Sequence, residues 1–155
     1  MAAYSDDEIT DIYNRHVNTV YRICFSFMKN AADTEDMVQE TFLRLLSSGK
    51  SFQSAEHEKA WLIVTASNAC KDVLKNWWRR NETLDTCRDL SREDPFEADG
   101  ILSAVMKLPP DYKTVIYLYC CEGYKTPEIA KMLRCPQSTV RSRLARARKL
   151  LEKSV

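Results

Sequence analysis

The sequence predicts an all-α protein of two small helical domains joined by an acidic linker. Three observations carry that prediction. Apolar residues recur at steps of three and four along most of the 155 residues, and only three glycines accompany 45% hydrophobic and 29% charged residues. A stretch over 81–100 loses the periodicity and gathers acids. The first is the mark of helices that bury one face. The second argues against a turn-rich sandwich or barrel. The third separates two units, each large enough for a shallow core.

From Asp6 to about Met28, residues Ile9, Ile12, Tyr13, Val17, Val20, Tyr21, Cys24 and Phe27 follow helical spacing. Asn30 and Asp33 interrupt the run. Asp33 with Asp36 predicts a capped second helix over roughly 34–47, whose core face is Met37, Val38, Thr41, Phe42 and Leu45. Turn chemistry over 47–56 predicts a loop, and His57 is expected to sit in a loop and not to act as a base. A third helix, from Glu58 to about Arg80, carries Trp61, Leu62, Thr65, Ala69, Asp72 and Val73 at helical spacing. The acidic stretch containing Pro95 reads as a linker with little packed core.

The second unit opens with Ile101, Leu102, Val105, Met106 and Leu108 and stops at Pro109-Pro110. A further helix runs from Tyr112 to Cys121, and Gly123 ends it. Thr126 is placed to cap a two-turn helix with Pro127 at its first position, running to about Leu133.

The formal net charge of +1 hides two opposite blocks. Residues 81–100 hold seven acids against two arginines, and residues 125–155 hold nine bases against two acids. A basic terminal block suits a polyanionic partner. No run of apolar residues is long enough for a membrane span, and the acidic N-terminus lacks the order of an export signal. A cytosolic protein is expected, without membrane insertion and with its six cysteines as reduced thiols.

Ile129 and Leu133, a break at Arg134-Cys135-Pro136, and then Val140, Leu144, Ala147 and Leu151 describe two helices sharing a small core. That is helix-turn-helix spacing. On the second helix Thr139, Arg143 and Arg146 form one stripe off the apolar face, and Arg141 and Arg148 another. Between Ser138 and Leu151 there is no acid, whereas a helix charged only for solubility tends to alternate signs at four-residue spacing. Such a helix can set its first turns at base edges in a major groove while later arginines neutralise phosphate. At the end of the third helix, Lys71, Lys75, Trp77, Trp78, Arg79 and Arg80 interleave rings with cations, which suits bases taken out of the stack. Trp77 also extends the core stripe of Val73 and Trp61, so its neighbour Trp78 must face elsewhere.

These segments resemble the extracytoplasmic-function class of sigma-70 RNA polymerase sigma factors over nearly the whole chain. Asp33-Thr34-Glu35-Asp36-Met37-Val38-Gln39-Glu40-Thr41-Phe42 resembles the family's polymerase-binding segment. Ala60-Trp61-Leu62 through Asn68, Asp72 and Arg80 resembles its promoter-melting helix. Gly123-Tyr124 through Glu128-Ile129-Ala130, Cys135-Pro136 and the run from Thr139 to Arg148 resemble its upstream-element reader.

The resemblance implies an initiation factor that brings core RNA polymerase to specific promoter DNA. Asp36, Gln39, Glu40 and Arg44 would dock on the clamp helices of the largest subunit, and the flap of the second subunit would be a further contact. Asn68 and Lys71, with the loop over 48–56, would hold a base flipped from the non-template strand of the minus-ten element. Lys75, Trp78, Arg79 and Arg80 would lie along DNA near it. Pro136, Gln137, Ser138, Thr139, Arg141, Ser142, Arg143 and Arg146 would read the minus-thirty-five element. The domains implied are 1–80 and 101–155, with the acidic linker either mimicking nucleic acid along the polymerase or serving as a plain tether. An anti-sigma factor is a common partner in the family. Thr65-Ala66-Ser67 and Trp77-Trp78 depart from the family pattern, so a relative's promoter sequence does not carry over.

Three other classes fare worse. Cys24, Cys70, Cys87, Cys120, Cys121, Cys135, His16 and His57 contain no pair at structural-zinc spacing, so neither a metal nor a cofactor is expected. No phosphate loop or nucleophile motif supports an enzyme. A stand-alone helix-turn-helix regulator with an N-terminal sensor domain shares the C-terminal reading but predicts operator binding without polymerase.

Overall fold

The computed structural model describes residues 4–80 and 100–153, and these fall into two compact units. Every element among the described residues is helical.

Unit 1 is built from α1 (Asp6–Met28), α2 (Ala31–Ser48) and α3 (Ala55–Arg79), each packed on the other two. Ser5 starts α1 with a capping box: its Oγ accepts from Glu8 N at 3.1 Å, and Glu8 Oε1 accepts from Ser5 N at 2.8 Å. Those bonds hold the Glu8 carboxyl below the ordinary carboxylate range. Asp6, Asp7 and Glu8 also complement the positive end of the helix dipole.

The second helix starts earlier than its sequence suggested, because Asn30 and not Asp33 is the cap. Asn30 Oδ1 accepts from Asp33 N at 2.9 Å, and the Asp33 carboxylate instead accepts from Asn30 Nδ2 at 2.8 Å. Ser54 likewise caps α3, accepting from His57 N at 3.2 Å. The loop therefore spans only 49–54, and His57 sits in the first turn of a helix. Gly49, at φ +65°, closes α2 in the left-handed conformation that glycine adopts without strain.

Ile12, Val20, Ile23, Cys24 and Phe27 of α1 meet Val38, Phe42 and Leu45 of α2 and Leu62, Ile63 and Ala66 of α3 in the core of unit 1. The apolar face expected for α1 is split. Tyr13 is 44% exposed and Val17 and Tyr21 are half-buried, so these turn away from the core. Asp72 is exposed, while Ser67 and Cys70 are buried in its place on α3.

Unit 2 contains α4 (Gly100–Met106), α5 (Pro110–Ile116), α6 (Thr126–Leu133) and α7 (Gln137–Lys153). Gly100, expected in the linker, opens α4; the rest of the linker expectation lies outside the described residues. α5 starts at Pro110 and not at Tyr112, since proline's fixed φ and missing amide proton fit the first helical turn. It passes into a π-helical turn at Tyr117–Cys121, where Glu122 N donates to Tyr117 O at 3.2 Å.

At the start of α6 the cap is Lys125, whose N–H donates to Glu128 Oε1 at 2.8 Å; Thr126 is already inside the helix. Its hydroxyl instead accepts from Gln137 Nε2 at 3.4 Å, a long bond linking the starts of α6 and α7. The turn between them is a Schellman closure: Cys135 N donates to Ala130 O at 3.1 Å and Arg134 N to Lys131 O at 3.3 Å. Arg134 occupies the left-handed position at φ +56° where glycine is usual. Ile129, Val140, Leu144 and Ala147 are buried as the spacing predicts, joined by Ala130, whereas Leu133 and Leu151 are only half-buried.

Thr114 is 1% exposed in α5, and its Oγ1 has no hydrogen-bond partner among the described residues. A buried hydroxyl without a partner destabilises the fold, so Thr114→Val, which keeps the shape, is expected to raise stability by about 1 kcal/mol. A thermal midpoint that stays level or falls would refute this account of Thr114.

Candidate nucleic-acid and partner interfaces

On α7, Ser138, Arg141, Ser142 and Arg146 are exposed, and Gln137, Thr139 and Arg143 are half-buried. Pro136 is exposed immediately before the helix, and its carbonyl accepts from Thr139 N at 3.0 Å. Ser138, Thr139, Ser142, Arg143 and Arg146 line an open cleft of about 540 Å³ whose far wall is Asp111 and Tyr112 of α5. Two guanidinium groups, three hydroxyls and a phenol thus converge in one concave surface, chemistry suited to phosphate and base edges. Asp111 places one acid there, although α7 itself carries none between Ser138 and Leu151. Asp111 and Tyr112 precede the helix-turn-helix by many residues, and no local pattern marks them.

Arg148 stands apart from the others. Its guanidinium lies over the Tyr119 ring at 5.2 Å, a cation–π contact that fastens α7 to the π-helical turn. The second arginine stripe therefore divides, with Arg141 exposed and Arg148 used within the unit. Partial burial raises the neighbouring Cys120 thiol above its ordinary range, an effect that the Arg148 charge opposes.

In unit 1, Asn68, Lys71, Lys75, Trp78 and Arg79 fall on one stripe of α3, since steps of three and four return to the same face. Trp78 is 72% exposed, Asn68, Lys75, Arg79 and Arg80 are exposed, and Lys71 and Trp77 are half-buried. Trp61 begins the same stripe two turns before Asn68, and Phe52 of the 49–54 loop packs against it with ring centroids 5.8 Å apart. The loop is thereby anchored at the head of the cationic stripe.

Of the four residues expected to bind a polymerase, two edge a groove and two pair with each other. Asp36 and Gln39 edge a groove of about 650 Å³ between α1 and α2, together with Glu35. Its walls are Tyr13, Val17, Tyr21, Phe42, Leu43 and Leu46. Leu43 and Leu46 are 54% and 43% exposed. Glu40 and Arg44 turn instead toward α3: Arg44 Nε lies 2.9 Å from Glu40 Oε2, and Arg44 Nη2 lies 3.7 Å from Asp72 Oδ2. Sequence periodicity missed the groove, because Tyr13, Val17 and Tyr21 read as core. Leu43 and Leu46, off the core face of α2 yet apolar, are the signal that could have found it.

Among the described residues no three His, Cys, Asp or Glu side chains are placed to hold a metal ion, and no helix is long and apolar enough to cross a membrane.

Comparison with known proteins bears on both units. The family model for sigma-70 region 2 matches residues 12–83, and the model for sigma-70 region 4 matches residues 98–151. The RNA polymerase sigma factor SigV of Bacillus subtilis is 34% identical over 140 residues, covering 88% of this chain and 84% of that protein. The ECF RNA polymerase sigma factor SigW of the same organism is 27% identical, covering 96% of this chain and 89% of that one. In fold, the chain is similar to the sigma factor RpoE of Bartonella quintana, solved with the anti-sigma factor NepR. The TM-score is 0.67 at 19% identity, covering 93% of this chain and 94% of that one. CnrH, solved with the cytosolic domain of CnrY, gives a TM-score of 0.63 at 22% identity, covering 96% of this chain and 88% of that one.

Proposed function

The chain belongs to the sigma-70 family of RNA polymerase sigma factors, in its extracytoplasmic-function class, and on that footing we propose that it binds core RNA polymerase and directs it to particular promoters. It acts as a non-enzymatic initiation factor in the cytoplasm. The observation that carries this reading is the pairing of two cation-bearing helical surfaces, the Asn68–Arg79 stripe of α3 and the cleft face of α7, each within a matched region.

In this reading the domain over 1–80 docks on the polymerase and melts the minus-ten element. The domain over 101–155 reads the minus-thirty-five element, and the segment between them is an acidic linker. Asn68, Lys71 and the loop hold an unstacked base, Trp78 offers a ring on which a base can stack, and Lys75, Arg79 and Arg80 neutralise backbone. Gln137, Ser138, Thr139, Arg141, Ser142 and Arg143 face base edges behind Pro136, and Arg146 holds phosphate from the cleft. Asp36 and Gln39 contact the clamp helices from the edge of the groove, and Glu40 with Arg44, which pairs with Glu40 and with Asp72, extends that docking face toward α3. A helical anti-sigma segment would compete for the same groove.

Run-off transcription with bacterial core polymerase on a pool of promoter fragments tests the reading. New start sites that depend on the protein are expected. No stimulation and no core binding would mean a stand-alone helix-turn-helix regulator instead.

A further inference from the structure

Two ties run from the N-terminal part of unit 1 to the two ends of the loop between α2 and α3. At the first end of the loop, Tyr4 donates its hydroxyl to the Lys50 carbonyl. Just beyond its end, Glu58 Oε1 lies 2.7 Å from His16 Nε2 and 3.5 Å from Arg15 Nε. His16 is 4% exposed and Glu58 8%, so a polar pair is buried at the junction of α1 with the first turn of α3.

The loop has few holds of its own. Lys50 N donates to Ser48 Oγ at 3.1 Å, Phe52 meets Trp61, and Ser54 caps α3, while Ser51 and Gln53 are exposed. Adhesion alone does not account for a buried His–Glu pair. Apolar side chains of similar volume would hold α1 to α3 as well or better, because desolvating two ionisable groups offsets most of their attraction. A short hydrogen bond adds direction. It sets the rotation of the first turn of α3, from which the Ser54 end of the loop departs and which leads directly into Trp61, the loop's aromatic anchor.

We propose that Tyr4 and the His16–Glu58 pair are positioning residues for the 49–54 loop, fixing both of its ends so that it receives a flipped non-template base in one register. The inference rests on the reading that this loop takes such a base with Asn68 and Lys71.

The test uses holoenzyme reconstituted from the full chain and core polymerase, transcribing a promoter library with single-base changes in both elements. The double variant His16→Leu with Glu58→Leu is expected to flatten base preference in the minus-ten element about tenfold, as misplacement of a binding group does. Preference in the minus-thirty-five element and the thermal midpoint should stay near wild type. His16→Gln, whose amide can still donate to Glu58, should restore the preference. Tyr4→Phe removes one hydroxyl outside the helices and should give a smaller loss in the same element, which keeps the test decisive if the double variant does not fold.

Unchanged minus-ten preference in these variants would overturn the proposal and leave the pair as simple adhesion, and so would an equal loss across both elements. Absence of any minus-ten preference in the wild-type holoenzyme would instead overturn the underlying reading of the loop.

Discussion

Leu43→Asp should lower affinity for core polymerase about a hundredfold, roughly 3 kcal/mol, the size of losing an interface anchor. The side chain is 54% exposed on the groove wall, so unit 1 should keep its thermal midpoint. A carboxylate there would lose the apolar contact and have to be desolvated beneath a docked helix. Asp36→Lys reverses a charge at the rim and should slow association and change its salt dependence more than it speeds dissociation. Glu40→Ala should act more weakly, since Glu40 is engaged with Arg44 on the side facing α3. Titrating labelled variants with core polymerase measures all three. Wild-type affinity for Leu43→Asp would remove the groove from the docking surface.

The second large effect concerns α7, where two kinds of arginine should part company. Arg141 is exposed in the second turn, and its truncation to alanine should relax preference at one position of the minus-thirty-five element by about 1–3 kcal/mol. Arg146 lies further along, opposite Tyr112 in the cleft. Arg146→Ala should weaken binding on all sequences alike and reduce the steepness of the salt dependence by about one phosphate contact. Arg143→Ala should also weaken use of the upstream element. Tyr112→Phe should resemble Arg146→Ala in smaller measure. Transcription from minus-thirty-five variants at several salt concentrations separates these outcomes, and a sequence-specific loss for Arg146→Ala would reverse the assignment.

Much of this arrangement was legible before any coordinates. α1 and the two helices around Arg134 were readable because apolar runs and the breaks between them agree at those places, although the cap of α6 is Lys125 and not Thr126. The starts of α2 and α3 were not, because Asn30 and Asp33, or Ser51 and Ser54, are alternative caps by residue type, and only the backbone path decides between them. The cation-bearing faces followed from residue type and spacing along one helix. The groove and the cleft did not, since each needs two elements brought together: Tyr13 with Leu43, or Tyr112 with Arg146. The burial of His16 against Glu58, distant in sequence, is invisible for the same reason.

The π-helical turn at Tyr117–Cys121 bears on how site residues are transferred between relatives. Such a turn holds one more residue than the α-turn it replaces. Side chains on either side are therefore out of phase by about 100° relative to an unbroken helix. A relative that lacks the extra residue matches this chain upstream of Tyr117 in one frame and downstream of Cys121 in another. An ungapped comparison anchored on α7 would then assign the roles of Asp111 and Tyr112 to their neighbours, and the far wall of the cleft would be lost by a counting error and not by divergence.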